Sequence, residues 1–143
     1  MWRSSLGTSG MWTQGHDPII AQPVEGWWVC PAPTGREGGG VLSAVAPEGC
    51  LRAEYSVLLP GFSQPTHCCT GQEGSPLTLV MFLVTGVGCM LRVGDGNGQA
   101  VVEEEGRAVV VDTSFPHHAE NSSDSIVRLA LMLEFSLEAA DDV

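Results

Sequence analysis

Residues Glu105–Leu133, EGRAVVVDTSFPHHAENSSDSIVRLALML, decide how this chain folds. An acidic turn runs into an apolar segment, Ala108–Val111, which breaks at Asp112-Thr113-Ser114, residues whose short polar side chains bond nearby backbone and favour turns. His117 follows, and the chain then enters a second apolar segment whose one charged member is Arg128. A neutral imidazole at a strand end is a candidate metal ligand. A guanidinium inside an apolar strand needs a partner, because an unpaired buried charge costs several kcal/mol. Its planar fork suits a carboxylate. A second histidine, His67, stands fifty residues upstream in Pro65-Thr66-His67.

Composition narrows the possible functions. The 143 residues fit one domain, and 43% hydrophobic content supports a core. Eighteen Gly and nine Pro favour short strands and turns over long helices. All six basic residues are Arg, and the net charge is −11. Such a chain lacks the basic face that nucleic acid or an anionic membrane surface would need. Five cysteines without a CxxC pair exclude a zinc ribbon and a thioredoxin motif. With no signal peptide or membrane-spanning run in the sequence as written, a cytoplasmic protein is the default expectation, unless the chain belongs to a longer, membrane-anchored one.

Residues 1–49 are expected to form an irregular or short helical capping region. It holds all four Trp and a flexible Gly38-Gly39-Gly40 connection. Strand character begins at Ala53–Leu59, which stops at Pro60-Gly61. Leu77–Val84 is a near-continuous apolar run, read as a strand covered on both faces. Cys89–Val93 leads into Gly94-Asp95-Gly96-Asn97-Gly98, a hairpin turn. Ala100–Glu103, Arg107–Asp112 and Ile126–Phe135 complete a mainly β domain over 50–137, and 138–143 form an acidic tail. At least six strands at short spacing point to an antiparallel jelly roll.

The candidate metal pair is His67 and His117, each near a strand end, with exposed loop histidines as the plain alternative. Where an HxD motif would put Asp, two residues after His67, this chain has Cys69. Arg128 is expected to meet Glu134, Asp112 or the carboxylate of a small molecule. Ser56 is a candidate hydroxyl contact. Glu103-Glu104-Glu105 reads as a solvated turn, and Asn121-Ser122-Ser123 as a coincidental glycosylation sequon.

Several blocks match one known pattern. Gly49-Cys50 leads to Tyr55–Gly61 (YSVLLPG) and on to His67. Gly88-Cys89 with Leu91-Arg92 follows, then EEGRAVVVDTSFPH (Glu104–His117) and RLALMLEF (Arg128–Phe135), with Trp12-Thr13-Gln14-Gly15 as a weaker upstream block. In these the chain resembles the aspartyl/asparaginyl β-hydroxylase family, most specifically in Glu104–His117.

The resemblance implies a double-stranded β-helix, Fe(II), 2-oxoglutarate and O2, and hydroxylation of Asp or Asn in a protein or peptide at the β-carbon. It implies His67 and His117 as iron ligands, Arg128 and Ser56 as 2-oxoglutarate anchors, and Trp12 near the cosubstrate. The family also does without a carboxylate ligand. Thr78 and Val80 stand where the family strand carries an Arg and a His facing the cosubstrate. Gln64-Pro65-Thr66 replaces the family's WP, and Cys30 alone represents an upstream cysteine pair. Three alternatives stay open: a catalytically silent oxygenase fold, a cupin-like metal or small-molecule protein (Gly106 to Asn121 loosely fits a cupin block), and a truncation product.

Overall fold

The computed structural model describes residues 12–17, 20–32, 50–68, 77–94, 96 and 98–135. The expectations for Gly38–Gly40, Cys69 and the acidic tail lie outside the described residues. Within them the chain forms nine strands and no helix: β1 Thr13–His16, β2 Pro23–Ala32, β3 Cys50–Leu58, β4 Leu77–Val84, β5 Cys89–Val93, β6 Gln99–Val101, β7 Ala108–Asp112, β8 His117–Asn121 and β9 Arg128–Phe135. One sheet runs β1-β2-β3-β9-β4-β7 and the other β6-β5-β8, with every pairing antiparallel. This is the expected jelly roll. No helix among the described residues is long and apolar enough to cross a membrane.

The larger sheet has two working faces because side chains alternate along each strand. In β9, Arg128, Ala130, Met132 and Glu134 point to the inter-sheet cavity. Leu131 and Leu133 point the other way and cluster with Ala32, Ala53, Leu79 and Met81. In β4, Thr78 and Val80 face inward, and Phe82 joins Val80, Leu91, Val111 and Ala130 in the cluster between the sheets. Phe82 is 1% exposed and Leu58 0%; burying each contributes about 1.5–3 kcal/mol. Leu77–Val84 is thus apolar on both faces because each face meets its own cluster.

The N-terminal region differs from the expected irregular or helical cap. Thr13–His16 and Pro23–Ala32 are strands, and β2 pairs with β3 from Trp27↔Leu58 to Ala32↔Ala53. Proline inside a strand argues against a central position, yet Pro31 is tolerated here. The register of β1 on β2 runs from Thr13↔Val29 to His16↔Pro23 and stops short of Pro31. Beyond Val29, β2 is therefore locally an edge.

Asn121 joins the two sheets. Its side chain is 1% exposed; Nδ2 donates to Leu58 O (3.0 Å) and Ile126 O (2.7 Å). Its Oδ1 accepts from Ser123 N (3.1 Å) and Ser123 Oγ (2.7 Å). The sequon asparagine is a saturated internal tie, so the folded chain offers no amide nitrogen for a glycan.

Candidate active site

The segment after β3 brings His67 to His117. From Gly61 to His67 it lies antiparallel to β8: Gly61 N donates to Asn121 O (2.8 Å), Asn121 N to Phe62 O (2.9 Å) and Gln64 N to Ala119 O (2.9 Å). Ala119 N donates to the Gln64 side-chain oxygen at 3.0 Å, a side chain serving as acceptor just before Pro65. The backbone pairing then resumes at His67↔His117. Sequence reading placed His117 just after a strand; it is the first residue of β8.

The two imidazoles are 4.4 Å apart between centroids and inclined at 60°. Each Nδ1 faces the carbonyl two residues earlier: His67 that of Pro65 (2.8 Å) and His117 that of Phe115 (2.9 Å). A carbonyl only accepts, so both Nδ1 atoms carry a proton, and in the neutral ring Nε2 is then the atom with the lone pair. Burial holds the His117 imidazole below the usual histidine pKa; the Phe115 carbonyl opposes this, and the His67 and His118 charges add to it. Two imidazoles whose Nδ1 atoms are engaged by carbonyls leave Nε2 as the ligating atom, which fits a divalent transition metal such as iron. No group of three or more His, Cys, Asp or Glu among the described residues gathers at one point.

Both histidines line a cavity of about 480 Å³ between the sheets, together with Ser56, Thr78, Val80 and Arg128. Trp12 is not on that lining; Trp27 is, donating from Nε1 to Ser56 Oγ at 2.9 Å, with its ring 6.3 Å from that of His67. From sequence the four Trp read as core plugs, with pocket lining the lesser reading; which of Trp27 and Trp28 turns inward follows only from the register of β2 on β3.

Arg128 has a partner that the sequence reading missed. Its Nε donates to both carboxylate oxygens of Glu103 (3.0 Å each) and its Nη2 to Oε2 (2.8 Å). The Arg128 side chain is 3% exposed and that of Glu103 0%. Thr85 Oγ1 donates to Glu103 Oε1 at 2.6 Å, and the Phe82 ring lies 5.9 Å from the guanidinium carbon. Glu103 is therefore no part of a solvated turn. The expected partners are engaged elsewhere, Glu134 by Arg52 (3.2 Å) and Asp112 by Ser114 (3.0 and 2.6 Å). The pair uses Nε and Nη2 and leaves Nη1 outside it.

Comparison with known proteins bears on the family and the fold. Residues 42–137 match the family model for aspartyl/asparaginyl beta-hydroxylase. No curated protein matches the sequence. Among solved structures the chain is similar to an oxidoreductase of the 2OG-Fe(II) oxygenase family from Burkholderia pseudomallei (12% identity, TM-score 0.61, 86% of this chain and 72% of that one). It is also similar to a cupin 2 conserved barrel domain protein from Rhodopseudomonas palustris (10%, TM-score 0.56, 88% and 71%). A third is the Cupin_2 domain of an XRE family transcriptional regulator from Enterobacter cloacae (14%, TM-score 0.53, 78% and 98%). At such identities the likeness shows the fold alone.

Proposed function

The chain belongs to the aspartyl/asparaginyl β-hydroxylase family, and on that premise we propose that it is an Fe(II)-dependent dioxygenase of the 2-oxoglutarate type acting on an Asp or Asn side chain of a peptide. The observation that carries the reading is the His67–His117 pair, with both Nδ1 atoms tied to carbonyls and both Nε2 atoms left to ligate. Iron bound there would supply the O2 chemistry, in which 2-oxoglutarate and O2 give succinate and CO2 and the other oxygen atom enters a substrate C–H bond.

The protein contributes placement. His67 and His117 would hold the metal from two backbone-paired segments. Ser56 Oγ, which accepts from Trp27, keeps its own proton to donate into the cavity. Arg128 offers Nη1 to the far end of the cosubstrate. Val80, Leu91, Val111 and Ala130 make an apolar floor that keeps water from the reacting atoms.

One observation favours a second reading, a catalytically silent fold that binds without turnover. Thr78 and Val80 put no cation on the cavity wall, and Arg128 already holds Glu103. Succinate formation separates the two. Protein with Fe(II), 2-oxoglutarate and Asp- or Asn-bearing peptides should release succinate, and His117→Ala should abolish the release. Metal and cosubstrate binding without succinate from any such peptide would favour the silent reading.

A further inference from the structure

Both arginines that line the cavity already hold a carboxylate of this chain. Arg52 bonds Glu134 at 3.2 Å near the surface, and Arg128 bonds Glu103 through three contacts in the interior. Glu54 lines the cavity beside Arg52 and Glu134, away from the Arg128 end, and the sequence contains no lysine. Neither arginine is left as an unpaired cation, and the buried one, Arg128, is the one that Glu103 neutralises.

We propose that Glu103 determines cosubstrate specificity: by neutralising Arg128 it makes the cavity favour 2-oxo acids with an uncharged, apolar tail over the dicarboxylate. The inference rests on the oxygenase reading of His67 and His117 and narrows the class of small molecule that the same site takes. Three features support it. First, Glu103 is built in: its side chain has no exposure, and Thr85 Oγ1 holds it from another strand end. Second, a ligand carboxylate reaching Arg128 meets a neutral pair, and Coulomb attraction to the cation is offset by repulsion from the carboxylate just behind it. Third, the surroundings suit a hydrocarbon. Val80, Leu91, Val111 and Ala130 line the cavity and belong to the same cluster as Phe82, over which the guanidinium lies. The 2-oxo acid end needs no arginine, because a metal on the two histidines would take it.

The test is anaerobic calorimetric titration of Mn(II)-loaded protein with 2-oxoglutarate and with 4-methyl-2-oxopentanoate. Thermal-shift measurements on the same samples give a readout independent of turnover. Wild-type protein should bind the apolar-tailed acid at least as tightly as the dicarboxylate. Glu103→Gln keeps the shape and the Thr85 contact but frees the cation. It should tighten 2-oxoglutarate binding by about tenfold or more, leave 4-methyl-2-oxopentanoate nearly unchanged, and enlarge the thermal shift given by 2-oxoglutarate. The wild-type comparison needs no variant, so the proposal can fail even if Glu103→Gln does not fold. Clear wild-type preference for 2-oxoglutarate, or no gain in Glu103→Gln, would overturn this inference and leave the oxygenase reading standing. Failure of the wild-type protein to bind Mn(II) or either acid would overturn both.

Discussion

His67 and His117 are bonded to each other through their backbones: His67 N donates to His117 O at 3.0 Å and His117 N to His67 O at 2.9 Å. Residues that exchange both hydrogen bonds in an antiparallel pair sit directly opposite, with side chains on the same face. Fifty residues of chain separate them, yet the spacing of their rings is set by a local pairing rather than by flexible rotamers. Each ring is then turned by its own carbonyl, two residues back. A ligand pair held in this way is preorganised, and its geometry should respond more to changes in β8 than to changes at the cavity mouth.

Gly15 tests how Trp27 is held against the cavity. A Cβ at Gly15 would lie 2.2 Å from the Trp27 ring. Gly15→Ala should displace that ring, break its bond to Ser56 Oγ and lower stability by about 1–3 kcal/mol, as overpacking does. Denaturant unfolding and a red-shifted tryptophan emission would report it. Unchanged emission with unchanged stability would mean that the two strands separate without disturbing Trp27.

Asn121 carries a larger load. Asn121→Ala leaves the Leu58 carbonyl without the amide donor and Ser123 N without its acceptor, while Ile126 O and the Ser123 hydroxyl keep each other at 3.2 Å. At about 1–3 kcal/mol for each buried group left unsatisfied, the expected loss is about 3–5 kcal/mol in urea unfolding. Because β8 also carries His117, metal affinity should fall with it. A loss under about 1 kcal/mol would show that water replaces the amide.

Much of this is legible in the sequence alone. The apolar runs at Leu77–Val84 and Cys89–Val93 are strands with those bounds, since alternation and flanking glycines act locally. The histidine pair was visible because strand ends in a jelly roll converge. The partner of Arg128 was not. Among Glu103, Glu104 and Glu105 nothing local says which side chain turns inward; that depends on where Thr85 and Arg128, eighteen and twenty-five residues away, lie in the folded sheet. β1 and β2 were hidden for a related reason. Pro23, Gly26 and Pro31 punctuate the segment, and only its register between β1 and β3 shows why they are tolerated.

Glu54 gives the pH dependence. Burial raises its carboxyl above the ordinary range, with Arg52 pulling it down and Glu134 adding to the rise. A raised carboxyl favours the protonated form in the folded chain. This contribution to stability is fully present below the unfolded value and is lost as pH rises through the folded one. Glu54→Gln should therefore raise the unfolding midpoint at neutral pH, by less than about 1 kcal/mol given solvent screening. The gain should vanish in acid, where the wild-type side chain is protonated as well. Midpoints from thermal unfolding at neutral and acid pH measure it, and a gain that persisted in acid would point to packing rather than charge.

The most direct measurement is anaerobic Fe(II) titration by calorimetry of wild type, His67→Ala and His117→Ala, with circular dichroism to verify that each variant keeps its β structure. The account expects one ion per wild-type chain and a loss of affinity in either variant of at least about 100-fold, beyond the roughly 10–100-fold that follows when only an outer partner of a ligand is removed. A folded His117→Ala that binds Fe(II) as the wild type does would contradict it, because the two imidazoles would then not share an ion.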